Sequence, residues 1–363
     1  MTSTDDPGEL FVGGEFYYDE RWQAEGTTDP SSGALFLNGG KACLTVICDY
    51  LRSHGIRRVL LPSYLCPTIV DTLESCGMAC DYYNVAADFS IDTQDLAQQL
   101  RENQAVYFIN YFGFSPSPAV LAYLQGLRQQ QRFLIEDNAQ AGFPPSSIGD
   151  FVFNSMRKLC PYDGGYLKTN LNLQPYLQPY QGQPNWRLQL IRQYRGQLRD
   201  YLFDDVGDYA VLEALYAQAE AYYASDAVVL GDEGERQQIE RLDWPAIKRV
   251  RRQNYACLMQ LIAGNRAITP IFPKLQTDNM PLGLPVYVHR KLRDQLNEYL
   301  GERGIGLTIH WEDLMTDPRL QNHTLAKELA SRILTLTTDQ YTSTEQLVYL
   351  AQTLADFTAT YLS

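Results

Sequence analysis

Phe133-Leu134-Ile135-Glu136-Asp137-Asn138-Ala139-Gln140 passes without a break from apolar to polar residues. A short apolar run of this length is a buried strand, and its polar tail lies where the chain leaves the sheet. The same pattern recurs on its N-terminal side. Strands are predicted over 58–62, 78–85, 105–111 and 132–136, and apolar residues at helical spacing predict helices over 42–52, 68–76, 93–102 and 119–130. Gly77 suits a left-handed cap on the second helix. Strands alternating with helices predict an α/β fold with a mostly parallel sheet, whose ligands bind beyond the carboxyl ends of the strands. Ser63, Tyr64, Phe112, Asp137 and Gln140 fall at or just past those ends.

The alternation stops after residue 170. A Gln-, Pro- and Tyr-rich stretch, 172–186, reads as an irregular loop, and 188–203 and 209–225 read as helices. A longer helix over 244–263 carries Pro245 at a tolerated early position. Strand, helix and strand follow over 283–288, 289–303 and 306–311, then further elements over 324–331, 333–337 and 343–359. Three parts are expected: an aromatic and acidic arm over 1–34, a large α/β domain over 35–243, and a small α+β domain over 244–363.

Composition narrows the function. The 363 residues are 45% hydrophobic and carry a net charge of −13, which argues against a general nucleic-acid binder. The seven cysteines are scattered without paired CxxC spacing and suit thiols of a reducing compartment. The four histidines share no metal spacing, so no metal is expected. The first residues are polar and acidic, and no apolar run is long enough to span a bilayer, so a soluble cytoplasmic protein is expected, without membrane or nucleic-acid partners. No GxSxG supports a serine hydrolase.

Downstream of Asp137 stands Phe153-Asn154-Ser155-Met156-Arg157-Lys158-Leu159-Cys160-Pro161-Tyr162-Asp163-Gly164-Gly165-Tyr166. A lysine in partly apolar surroundings has a lowered pKa and becomes a usable nucleophile. An acidic residue closing a buried strand, followed by such a lysine, is what pyridoxal phosphate (PLP) chemistry needs. The lysine forms a Schiff base with the aldehyde, and the carboxylate keeps the pyridine nitrogen protonated, which makes the ring an electron sink. Each residue also has an ordinary reading: Asp137 as a helix cap, Lys158 as a lysine before a turn, Ser155 as a turn serine. Asn38-Gly39-Gly40-Lys41-Ala42 leads into a helix and offers free N–H groups to a phosphate, with Lys41 adding a full charge. Gln140 lies within reach of the same ligand. His310 and Trp311 close a predicted strand as a substrate-pocket pair, or His310 is a satisfied structural histidine.

Taken in order, these motifs resemble the DegT/DnrJ-type sugar aminotransferases, within the aspartate-aminotransferase-like PLP enzymes of fold type I. The resemblance runs from about Leu35 onward, through Gly40-Lys41-Ala42-Cys43-Leu44, Leu61-Pro62-Ser63-Tyr64, Tyr111-Phe112-Gly113, Glu136 to Gln140, Arg157-Lys158, Asp163-Gly164-Gly165, Arg303-Gly304-Ile305 and His310-Trp311. It implies a seven-stranded, mostly parallel sheet and a homodimer with active sites at the interface. It implies Lys158 and Asp137 as catalytic residues. Gly40, Lys41, Ala42 and Ser155 become the phosphate cup, Gln140 a partner of the ring oxygen, and Tyr64 and Cys66 further cofactor contacts. The implied reaction moves an amino group from an amino acid, usually glutamate, to a keto sugar, usually nucleotide-linked. A PLP-dependent lyase or dehydratase, or a non-catalytic binding protein on the same fold, are the alternatives. Four departures stand out: Lys41 replaces a threonine, the segment from Ser155 to Lys158 is short, and Cys66 replaces the ring-stacking aromatic, which leaves Tyr64 for that role. The fourth is that 171–225 lacks the Asn-Tyr-Arg motif through which a neighbouring subunit completes the phosphate site.

Overall fold

The computed structural model describes residues 11–24, 33–225 (without the side chains of 224 and 225), 228–289 and 291–362. Much of the expected arm, 1–10 and 25–32, therefore lies outside the described residues. In chain order the strands and helices are β1 (Val12–Gly13), β2 (Leu35–Leu37), α1 (Gly40–Ser53), β3 (Arg58–Pro62), α2 (Pro67–Ser75), β4 (Ala79–Tyr83), α3 (Thr93–Gln99), β5 (Gln104–Ile109), α4 (Pro118–Gln129), β6 (Leu134–Asp137), β7 (Phe151–Phe153) and β8 (Gly165–Lys168). There follow α5 (Trp186–Asp204), α6 (Tyr209–Ser225), α7 (Glu233–Glu240), α8 (Trp244–Leu261), β9 (Ile268–Pro270), β10 (Leu284–Val288), α9 (Arg293–Gly301), β11 (Ile305–Gly306), α10 (Thr324–Ala330), β12 (Ile333–Leu336) and α11 (Thr344–Tyr361).

Seven strands form one sheet in the order β2-β8-β7-β6-β5-β3-β4. The strands from β4 to β7 run parallel, and β8 is antiparallel to both its neighbours. Every residue of β5 is buried, as a strand covered on both faces requires. The chain steps outward from β3 to β4 and then returns to the other side of β3 with β5. That reversal opens a crevice at the carboxyl ends of the strands, where Asp137 closes β6.

A second, three-stranded antiparallel sheet, β12-β10-β9, packs with α8, α9 and α11. Ser343 and Gln346 cap α11 reciprocally. The strand expected over 306–311 is only β11 with an isolated bridge from Thr308 to Thr335, because the chain turns there to place His310 and Trp311 against the large sheet. Sequence periodicity missed β2, β7, β9 and α7, all short. The described part of the arm lies on its own chain: β1 pairs with β11, and Phe16 and Tyr17 contact Tyr341. Met156 and Leu159, on either side of the candidate lysine, share a core cluster with Ile239, Leu242, Trp244 and Ile247. No described helix is long and apolar enough to cross a membrane.

Candidate active site

The first turn of α1 forms one wall of a cavity at the strand ends. Gly39, at φ 110°, adopts a conformation that favours glycine and turns the chain into the helix. The first intrahelical donor is the Cys43 N–H, so the N–H groups of Gly40, Lys41 and Ala42 have no partner inside the helix. A Cβ on Gly165 would collide with the Asn154 carbonyl and lie 3.0 Å from the Gly39 Cα. Its absence lets this helix terminus sit against β8. Gly40, Lys41 and Ser155 line the cavity. Ala42 does not: its methyl is buried in the core, and only its backbone can serve a ligand.

Asp137 lines the same cavity from the end of β6. One carboxylate oxygen accepts from the Tyr107 hydroxyl at 2.5 Å, the other from the Ala139 N–H at 2.7 Å. Burial nonetheless pushes this acid up to about 6, although both hydrogen bonds and Lys158 pull it down. A cation arriving in the cavity would restore the ionised form. Lys158 also lines the cavity, and burial, then the Arg157 charge, hold its ammonium below the usual range. Gln140 directs its amide oxygen to the Phe112 N–H at 2.8 Å, which leaves its NH2 as the donor for a ligand. Cys66, at the start of α2, contributes to the wall.

Tyr64 corrects an expectation. It is fully buried, its hydroxyl donates to the His310 carbonyl, and its ring lies 5.2 Å from that of Trp311. It is packed beneath Trp311 and does not face the cavity. Trp311 does, as do Tyr107, Phe153 and Tyr223. His310 faces elsewhere. It lines an adjoining polar cavity of ≈ 340 Å³, and its Nδ1 lies 2.9 Å from the Thr335 hydroxyl oxygen. Burial, then the Lys158 charge, push it down to about 3, so it is neutral at working pH. Arg157 and Lys158 line both cavities and mark where they meet.

Several residues of the site were not singled out in the sequence. Tyr223, on α6, lines the first cavity and receives the Arg157 guanidinium over its ring at 4.4 Å. Asp163 is more than part of a turn. It pairs with buried Arg187 and Arg195 of α5, and its N–H donates to Glu235 at 2.6 Å. These contacts fasten the α5–α6 hairpin to the loop that carries Lys158. The available signal was the spacing of Arg187 and Arg195 on the same helix face as Leu188, Ile191 and Leu198.

The residues fit PLP by chemistry. A buried carboxylate short of a cation, a desolvated lysine, and a helix terminus with a serine hydroxyl match a pyridinium, an aldehyde and a phosphate. The first cavity measures ≈ 100 Å³, with Tyr223 and Trp311 among its walls. Among the described residues no His, Cys, Asp and Glu cluster could hold a metal ion.

No family profile and no curated protein matches the chain. Solved structures do match across nearly its whole length. DesI, solved with its TDP-sugar product, is 16% identical, with 91% of this chain and 83% of that chain covered and a TM-score of 0.65. Spr1654 of Streptococcus pneumoniae, assigned as a sugar aminotransferase and solved in a PLP form, is 15% identical, with 97% and 94% covered and a TM-score of 0.67. A DegT/DnrJ/EryC1/StrS aminotransferase of Brucella abortus is 17% identical, with 89% and 85% covered and a TM-score of 0.60. The chain thus has the fold of the fold type I sugar aminotransferases.

Proposed function

We propose that the chain is a PLP-dependent aminotransferase that moves an amino group from an amino acid, with glutamate the first candidate, to a keto sugar. The observation that carries this reading is the placement of Lys158 and Asp137 in one buried cavity at the strand ends, facing the helix terminus at Gly40. PLP, when bound, supplies an electron sink that stabilises a carbanion at the amino acid Cα. The residues do the rest. Asp137 holds the ring nitrogen protonated. Gln140 would donate to the ring oxygen, and Trp311 would supply an apolar wall beside the ring. Gly40, Lys41, Ala42 and Ser155 anchor the phosphate. Lys158 would hold the cofactor through its aldehyde carbon and, once the donor's amino group had displaced it there, its freed amine would carry the Cα proton to that carbon. On this reading 35–243 holds the cofactor and 244–363 closes over it.

The polar cavity beyond Lys158 is the place for the acceptor. Thr308, Thr335, Thr337, Glu15 and Asp339 line it with hydroxyls and carboxylates, which suits a hydroxyl-rich sugar. The nucleotide portion of the acceptor is taken from the likeness to DesI. Homodimerisation is part of the same reading, and it is supported by the exposed apolar residues Phe203, Val206, Tyr209 and Val211 around the α5–α6 turn.

The test is the absorbance of the PLP-loaded protein before and after glutamate, beside Lys158→Ala. The expected result is a long-wavelength band that requires Lys158 and is bleached by glutamate with release of 2-oxoglutarate. A band insensitive to every amino donor would overturn transamination in favour of lyase chemistry. No band at all would leave a binding protein on an enzyme fold.

A further inference from the structure

Arg157 is a half-buried cation with a single, long ion pair among the described residues. Its side chain is 22% exposed, and its one carboxylate contact, Glu220 on α6, is long at 3.4 Å. Glu220 lies nearer to Arg187, at 3.0 Å. The Arg157 Nε is buried and has no partner among the described residues. Its remaining contact is the face of Tyr223. Against the pull of burial, Tyr223, Glu220, Glu15 and Tyr216 keep the guanidinium charged, so a cation with this unpaired Nε is held at the cavity wall.

Three cations converge on that ring. Lys41 and Arg187 lie 6.0 Å and 5.1 Å from its centroid, and the Lys41 Nζ donates to the Tyr223 carbonyl at 3.2 Å. Arg187 is already engaged by Asp163 as well as Glu220. Lys41 and Arg157 line the cavity together with Gly40 and Ser155, the helix-terminus end of the site. A protein of net charge −13 has therefore gathered positive charge at the helix-terminus end of this cavity.

We propose that Arg157, together with Lys41 and positioned by Tyr223 and Glu220 of α6, binds the phosphate of the cofactor. The anion pole of the site is then built from a single chain, with α6 as its outer wall. The inference rests on the PLP reading above and assigns Arg157 to the cofactor and not to the substrate. A guanidinium presents a fork of donors that matches two phosphate oxygens.

The experiment compares PLP with unphosphorylated pyridoxal. Dissociation constants for both are measured by absorbance titration for the wild-type protein, Arg157→Gln and Arg157→Lys. PLP affinity is expected to fall roughly 10- to 100-fold in Arg157→Gln, with pyridoxal affinity unchanged and part of the loss restored by lysine. Equal weakening of both ligands would make Arg157 merely structural and overturn the inference. Unchanged PLP affinity with a raised KM for glutamate would overturn it too, and move Arg157 to the donor carboxylate. A wild-type protein that binds neither ligand would remove the PLP reading itself, and the inference with it.

Discussion

Arg251 and Arg157 both stand near Lys158, and they are held in opposite ways. Arg251, on α8, is fully buried and bonds to the Gln340 amide oxygen at 2.7 Å and to the carbonyls of Leu282, Leu159 and Pro281 at 3.1 to 3.2 Å. Gln340 donates to the same Leu159 carbonyl at 2.8 Å. This network ties α8 to the residue next to Lys158 through neutral oxygens, with no carboxylate among the described residues bonded to the guanidinium, and burial holds its pKa below the ordinary value. Arg157, one residue before Lys158, has a single long ion pair and an aromatic face. Buried polar groups in a finished structure are satisfied. The difference is between an arginine hydrogen-bonded on every side within the fold and one that borders the cavity and is proposed to take the cofactor phosphate.

Four measurements would break or sharpen that contrast. The largest effect is expected at Asp163, which neutralises Arg187 and Arg195 where both are buried. Asp163→Asn should lower the unfolding free energy by about 3–5 kcal/mol in urea melts, because two cations lose their carboxylate. Next comes Arg251→Met, at about 2–4 kcal/mol, since several buried carbonyls lose their donor. Arg157→Met in the ligand-free protein should change stability by less than about 1 kcal/mol, in either direction. An equal cost at both arginines would erase the distinction.

The third measurement follows Asp137 with pH. The unfolded acid titrates near 3.8, and burial raises the folded one to about 6. The folded state thus keeps the proton longer. Stability is unaffected by this shift below the lower value, falls as pH rises between the two, and stays reduced above the higher. Asp137→Asn escapes the penalty. Its advantage over wild type, without ligand, should grow by about 1–2 kcal/mol between pH 5 and pH 7.5. Saturation with PLP should reverse the sign, because a pyridinium favours the ionised form. The fourth measurement takes Tyr64→Phe, which removes the hydroxyl bond to His310. It should cost about 0.5–1.5 kcal/mol and leave PLP affinity unchanged, as befits a residue outside the cavity.

Much of the site was legible because its residues sit at sharp local boundaries. Asp137 ends an apolar run, Gly39 and Gly40 open a helix, and Lys158 precedes a Gly-Gly turn. The structure brings Asp137, Gly40 and Lys158 to one cavity. The strand–helix alternation likewise carried the parallel sheet. What sequence could not show depends on partners far along the chain. Tyr64 looked available for stacking because it follows β3, yet its orientation is set by His310 and Trp311, some 246 residues away. Tyr223 and Glu220 carry no local sign of their role, since only the α5–α6 hairpin, docked through Asp163, carries them to Arg157. Short strands such as β7 and β9 leave too few residues for a period to register.

The central claim is that Lys158 is the residue that takes the cofactor. The most direct measurement is to load the purified protein with PLP, reduce it with borohydride, and locate the pyridoxyl label by peptide mass mapping. The account predicts one label per chain, on the peptide containing Lys158, and none in Lys158→Ala. A label on Lys41 or on surface lysines, or equal labelling of the variant, would contradict it.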